Sequence, residues 1–147
     1  STAPAVEFLA AGGSDAARAH ALLNGVMHGL VDTLVASTDA QVWSGFVARE
    51  MHAPGEAFAV LYDRLWQPGT ELAAQLIHAA RGGRGGIETA RLEAAMLISN
   101  LVAFTSGRRV TKKIMGWQEI GPDQLAAVRR SIARQVDALV AVVPGDE

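Results

Sequence analysis

The sequence predicts an all-α domain of five main helices. Two observations lead there. Apolar residues recur at three- and four-residue steps along most of the chain, the spacing of one helix face. Alanine, leucine, glutamate, glutamine and arginine are plentiful, while runs that favour strands are scarce. With 147 residues, half of them apolar and 19% charged, the chain can bury one core.

The first dozen residues end in Ala11-Gly12-Gly13 and read as a flexible lead-in. Ser14 suits an N-cap and Asp15 the first turn, so the first helix runs to about Ala36. Leu23, Met27, Leu30 and Leu34 form a stripe that Leu22, Val26 and Val31 widen. So broad an apolar surface predicts burial. Gly25 and Gly29 are expected to let a neighbouring helix close in. Ser37-Thr38-Asp39 reads as a break and a new cap. The second helix, about Ala40 to Met51, carries Trp43, Phe46 and Val47 on one face. Pro54 stops it, because proline cannot continue the hydrogen-bond ladder and disfavours helix at the residue before it.

The third helix starts near Gly55 and Glu56. Phe58, Leu61, Tyr62, Leu65, Leu72, Leu76 and Ile77 keep one period across Pro68. That predicts a single kinked helix with its ladder opened near Arg64, ending at "RGGRGG", residues 81–86. A fourth helix is expected from about Ile87 to Met115, with small residues Ala95, Ser99, Ala103 and Ser106 along one face and Gly116 as its stop. The last helix opens on Gly121-Pro122-Asp123. Leu125, Val128, Ile132, Leu139 and Val142 recur at coiled-coil-like spacing, with Gln135 in the remaining place. Val136, Val140 and Val143 broaden that seam, and Pro144-Gly145 ends it.

Composition removes several function classes. There is no cysteine, which excludes disulfides, thiolate metal sites and a cysteine nucleophile. A net charge of −2 lacks the basic excess of a self-sufficient nucleic-acid binder. No apolar run reaches the ~18 residues of a membrane span, and no basic-then-apolar leader opens the chain. A cytoplasmic protein without membrane contact is expected.

Chemical motifs are few. The histidines are His20, His28, His52 and His78. His28 and Asp32 stand one helical turn apart, yet no metal-ligand motif completes them. His52 falls where the second helix ends, a favourable place for a cation. Glu50, Glu71 and Glu93 sit beside arginines or on polar faces, so no acid–base pair is specified. Nucleophile elbows and phosphate loops are missing. The expectation is no enzyme, no metal and no cofactor. "RGGRGG" reads as an interhelical loop, and Arg108, Arg109, Lys112 and Lys113 as a solvated basic face near a helix end.

Large flexible and aromatic side chains offer more. Met27, Trp43, Phe46, Met51, Phe58, Tyr62, Trp66, Met96 and Phe104 come from four helices. Were those helices to pack together, the set would line an apolar ligand pocket, with His28, Tyr62, Asn100 and Thr105 as orienting polar groups. The plainer alternative is a filled core.

The stretch "LVASTDAQVWSGFVAREMHAPGEAF" resembles the C-terminal regulatory domain of TetR-family transcriptional regulators, in the branch with a CerR-type C-terminal domain. Arg49, Glu50, Met51 and Pro54 carry that branch's Arg-Glu-Met/Leu-x-x-Pro pattern. "VLYDRLWQPGTELAAQLI" is similar to its Pro-interrupted helix. "ARLEAAMLISNLVAFTSGRRVTKKIMGW" and "IGPDQLAAVRRSIARQVDALVAVV" resemble its two terminal helices.

The resemblance implies a repressor-type ligand-binding domain for a small apolar or aromatic effector, bound by Met27, His28, Trp43, Phe46, Met51, Phe58, Tyr62, Trp66, Asn100 and Phe104. It also implies that the last two helices pair with those of a second subunit as a four-helix homodimer interface. Ala95, Ser99, Ala103, Ser106, Leu125, Val128, Ile132, Gln135 and Leu139 would form that interface. Such regulators begin with a helix-turn-helix domain of roughly fifty residues that touches operator DNA. Nothing like it stands in residues 1–147, so the chain is read as a fragment, a proteolytic product or an excised regulatory half. The rival readings are a small helical metal protein or enzyme using His28, Asp32 and His52, and an interaction module with a solid core.

Overall fold

The computed structural model describes residues 1–141 and, within them, the side chains of all but residues 38–41 and 44. Val142, Val143 and the Pro144-Gly145 stop lie outside the described residues.

Among the described residues, seven continuous helices replace the expected five, and the fold is all-α. Helix α1 is Ala3–Ala10. Helix α2 is Ala16–Val31, continued by a π turn, Asp32–Ala36. Helix α3 is Thr38–His52. Helix α4 runs from Glu56–Leu61 through a π turn, Tyr62–Trp66, into Gln67–Ala80. Helix α5 is Ile87–Ser99, tightened into a 3₁₀ turn over Asn100–Phe104. Helix α6 is Arg108–Met115 and helix α7 is Pro122–Ala141.

Both additions have local causes. The lead-in is helical because Pro4 suits a first turn, and Ala5, Phe8 and Leu9 have a core to rest on. The expected long fourth helix is two helices. The chain winds tighter from Asn100, and at Phe104 it turns: the Thr105 and Gly107 amides both donate to the Val102 carbonyl, at 3.1 and 3.0 Å. A Cβ at Gly107 would stand 3.2 Å from Ala103 Cα, so any larger residue crowds the fold-back against backbone. Gly116 ends α6 in the left-handed region, with the Trp117 amide returning to the Lys112 carbonyl.

Asp15, not Ser14, caps α2: its carboxylate accepts the Arg18 amide at 3.0 Å. Gly25 and Gly29 do not admit a neighbour, for a Cβ at either would meet open space.

Pro68 does not break α4. It lacks the N–H that would return to Arg64, and the ladder widens just before it, with the Gln67 amide reaching back five residues to the Tyr62 carbonyl. The helix therefore stays continuous, as the in-phase stripe predicts.

The core lies between α2, the back half of α4, α5 and α7. Leu23, Met27 and Val31 meet Leu76 and Ile77, then Leu97, Leu101, Val128, Ile132 and Val136, all buried. Each such side chain contributes ~1.5–3 kcal/mol through burial. Ala73, Ala74, Ala90 and Ala94, also buried, keep α4 and α5 close together. In contrast, no described side chain between residues 37 and 66 is buried. Helix α3 and the front of α4 form a hairpin that stands off the core, joined to it through a π turn at each end.

Candidate functional site

That hairpin carries most of the aromatic residues singled out above. Trp43 and Phe46, one turn apart on α3, meet edge to face at 5.9 Å between centroids. Arg49 places its guanidinium 5.8 Å from the Phe46 ring, a cation–π contact. On α4, Phe58 stacks on Tyr62 and tilts toward Trp66, both at 6.3 Å. Trp43 is 61% exposed, Met51 54% and Tyr62 47%. These side chains have gathered along one hairpin without being covered.

The Glu-Met-His sequence at the hairpin's bend is structural. Glu50 Oε2 accepts the Gly55 amide at 3.2 Å and closes the turn between α3 and α4. Met51 and His52 are exposed.

The remaining candidates lie elsewhere. Met27 is fully buried in the core, and Phe104 packs against it. Met96 is 62% exposed on the outer face of α5. Asn100 points away from the aromatic hairpin and donates to Gln135 on α7 at 2.5 Å. Thr105 donates its hydroxyl to the Val102 carbonyl. Among the described residues, the nine apolar candidates and their polar partners thus lie in separate parts of the fold.

His28 belongs to a polar ladder on α2. At four-residue steps, His20, Asn24, His28 and Asp32 run up the helix. His20 meets Asp137 of α7 at 2.7 Å, and Asp32 pairs with Arg129 of α7. Between these ties, Asn24 Oδ1 and His28 Nε2 are shut from solvent without a partner among the described residues. Asp32 is thus engaged by a guanidinium. Among the described residues, no three His, Asp or Glu groups gather as metal ligands.

Helices α5 and α7 meet sparingly and leave a groove of about 430 Å³ between them. Met96, Leu97, Ala138 and Leu139 line it, the Asn100–Gln135 bridge crosses one part, and Glu93 borders another. Of the small-residue face, Ala95, Ser99, Ala103 and Ser106 are all exposed. On α7, Leu125, Gln135 and Leu139 are half-buried, whereas Val128 and Ile132 point into the chain's own core. The coiled-coil-like spacing of α7 therefore serves the inside of the domain at those two positions.

Arg81 holds this region together and was not foreseen as more than part of a loop. It is 2% exposed. Its Nε and Nη2 donate to the Leu139 carbonyl at 2.9 and 2.5 Å, and Nη1 lies 2.7 Å from Glu93 Oε2. One guanidinium thus ties the end of α4 to α5 and α7. "RGGRGG" is an interhelical turn, as expected, but its first arginine turns inward while Arg84 folds back to the Arg81 carbonyl. Gly82, Gly83, Gly12 and Gly13 border a shallow cleft of about 460 Å³ with His78.

Helix α6 is a solvated basic face only in part, for Arg109 and Lys113 are exposed while Arg108 turns inward. Arg108 donates to the Val35 and Phe104 carbonyls and Thr111 to the Ala103 carbonyl, so polar groups face inward. Val110, 64% exposed, and Ile114, 77% exposed, face outward beside Arg109 and Lys113. Two half-exposed groups, Glu71 and Arg91, pair across α4 and α5 at 2.9 Å. The Arg91 guanidinium, then the Gln75 amide, hold the Glu71 carboxyl below its ordinary value.

A family model described as the C-terminal domain of the HTH-type transcriptional dual regulator CecR matches residues 19–142. The chain belongs to this CecR C-terminal-domain family. It is a TetR-like transcriptional-regulator domain. Comparison with curated proteins returned no match. The family bears the name CecR where the sequence motifs were assigned to a CerR-type branch. The match spans the aromatic hairpin, the α5–α7 groove and the Arg81 tie. It leaves out α1, which packs on this CecR-family domain from the N-terminal side. Among the described residues, no helix is long and apolar enough to cross a membrane.

Proposed function

We propose that this chain is the effector-binding and dimerisation half of a TetR-like regulator acting in the cytoplasm. A small apolar or aromatic molecule binds against the α3–α4 hairpin. A second copy covers the α5–α7 face. Operator DNA is reached through a helix-turn-helix domain outside residues 1–147. The observation that carries the effector reading is the uncovered aromatic set of the hairpin, with Trp43 61% exposed against Phe46 on α3 and Tyr62 47% exposed on the Phe58 stack of α4. Rings arranged in this way supply stacking surfaces to a flat guest, with the Tyr62 hydroxyl and Arg49 at hand for a polar substituent.

Regulation follows as a population shift. The effector favours one setting of the hairpin relative to the core, and it moves the balance only by its differential affinity for the two settings. The π turn before Pro68 lies between effector surface and core, which makes α4 the lever. In the intact regulator, Pro68→Ala lets the ladder return to α geometry and is expected to weaken the effector response. An unchanged response removes α4 from the mechanism.

A thermal-shift screen of aromatic and apolar small molecules tests the binding reading, because a ligand of the folded state raises the melting temperature by linkage. Native mass measurement tests the second copy. No shift from any member of a diverse aromatic set, with a single-chain mass, refutes both.

A further inference from the structure

Asn100 lies within residues 94–107, a run without a charged residue, at the point where α5 tightens into its 3₁₀ turn. Its Nδ2 donates to Gln135 Oε1 at 2.5 Å and bridges α5 to α7 across a groove whose other walls include Met96, Leu97 and Ala138. An amide pair in such surroundings contributes little packing, and it is half used. One N–H of Asn100 and the Gln135 oxygen are engaged. Among the described residues, Asn100 Oδ1 and both N–H groups of Gln135 have no side-chain partner.

Two properties of this face select its occupant. On α5 the exposed residues around the bridge, Leu92 at 63% and Met96 at 62% together with Ala95, Ser99 and Ala103, are uncharged, while Glu93 borders the groove and Arg134 stands exposed beside Gln135 on α7. The α5 side offers a strongly charged partner little complement, while the same uncharged surface on another molecule matches it. The bridge is also self-complementary, since it presents an acceptor, Asn100 Oδ1, beside a donor, Gln135 Nε2. A two-fold rotation sets the donor of one copy against the acceptor of the other.

We propose that Asn100 and Gln135 are half of a four-amide ring formed across two copies of this chain, and that the ring fixes the register in which their α5–α7 faces meet. The proposal rests on the homodimer reading above and adds the groups that select its geometry. A face of small and flexible residues packs nearly as well when slid by one helical turn, ~5.4 Å. Polar groups inside it do not, because a slip strands amides against apolar surface.

The chain has no cysteine, so Arg130→Cys on the exposed side of α7 accepts one spin label per chain. Inter-label distances and native mass are measured for this labelled protein, for N100L/Q135L, and for the exchanged pair N100Q/Q135N. The expected result is a dimer with one narrow distance for the labelled parent and the exchanged pair. N100L/Q135L is expected to remain dimeric and lose its single distance, which splits or broadens. An unchanged narrow distance in N100L/Q135L overturns the register role and leaves the dimer standing. Dissociation of N100L/Q135L into folded monomers also overturns it, because the amides then supply affinity instead of register. A labelled parent that is monomeric, without dipolar coupling, overturns the dimer reading itself.

Discussion

Replacing Arg81 by methionine tests whether one guanidinium joins the three helices. The side chain is 1% exposed, and Glu93, its ion-pair partner, is 21% exposed. Methionine keeps most of the apolar stem and removes the Nε and Nη2 bonds to the Leu139 carbonyl along with the charge facing Glu93. Breaking a fully buried pair costs about 3–5 kcal/mol, because one ion is left without compensation. Water reaches part of Glu93, which places the loss at the lower end, about 3 kcal/mol. For a domain of this size that is a fall in melting temperature of about 10 °C. The assay is thermal unfolding followed by far-ultraviolet circular dichroism, with a urea series to check that the transition stays cooperative. Glu93→Gln in the same chain should recover part of the loss, since the stranded carboxylate is then gone. Arg81→Lys should not, because an ammonium cannot reproduce the planar fork onto one carbonyl. An Arg81→Met melting temperature within about 2 °C of the parent refutes the reasoning and makes the buried guanidinium a passenger.

Three further outcomes are expected. Glu71 titrates below its ordinary value of 4.5 because Arg91 and Gln75 stabilise its charged form. The pair's contribution is therefore complete above 4.5 and is lost as pH falls through the lower folded value. Glu71→Gln should flatten that limb in a melting-temperature profile, and an identical limb in the variant counts against the pair. Gly107→Val pushes a Cβ toward Ala103 Cα and the Val102 carbonyl, 3.2 and 3.3 Å away, and should cost about 1–3 kcal/mol by urea unfolding. Trp43→Ser removes a 61% exposed ring, so stability should stay within about 0.5 kcal/mol. Any thermal shift induced by an aromatic ligand should fall sharply, and full retention of that shift takes Trp43 out of the site.

The path of the chain was largely legible because its punctuation is chemical. Pro54, Pro122 and Gly116 end or begin helices where their backbone chemistry requires it, and the unbroken stripe across Pro68 correctly announced one continuous α4. The break between α5 and α6 was hidden. Nothing in "AFTSGRR" disrupts helical period strongly, and Gly107 matters through its approach to Ala103, a tertiary fact. Arg81 was hidden for a similar reason. Glycines on both sides of Arg84 mark a turn, and nothing local reveals that the first arginine folds inward onto Leu139. Periodicity also identifies an apolar face without naming what covers it. Trp43, Phe46 and Phe58 look like core residues by spacing, yet the structure leaves them on a hairpin away from the core. Asn100 reads from the sequence as an orienting polar group, but its partner Gln135, thirty-five positions on, is a consequence of how α5 and α7 cross.

The two π turns have a consequence for how the hairpin can move. Each inserts one extra residue into a helical winding, Asp32–Ala36 at one root of the hairpin and Tyr62–Trp66 at the other. Expelling that residue restores α winding and swivels the segment beyond it by about 100°. The direction in which Trp43 and Tyr62 look is thus geared to backbone register in discrete notches, so any contact that tips one notch against its neighbour produces a large turn.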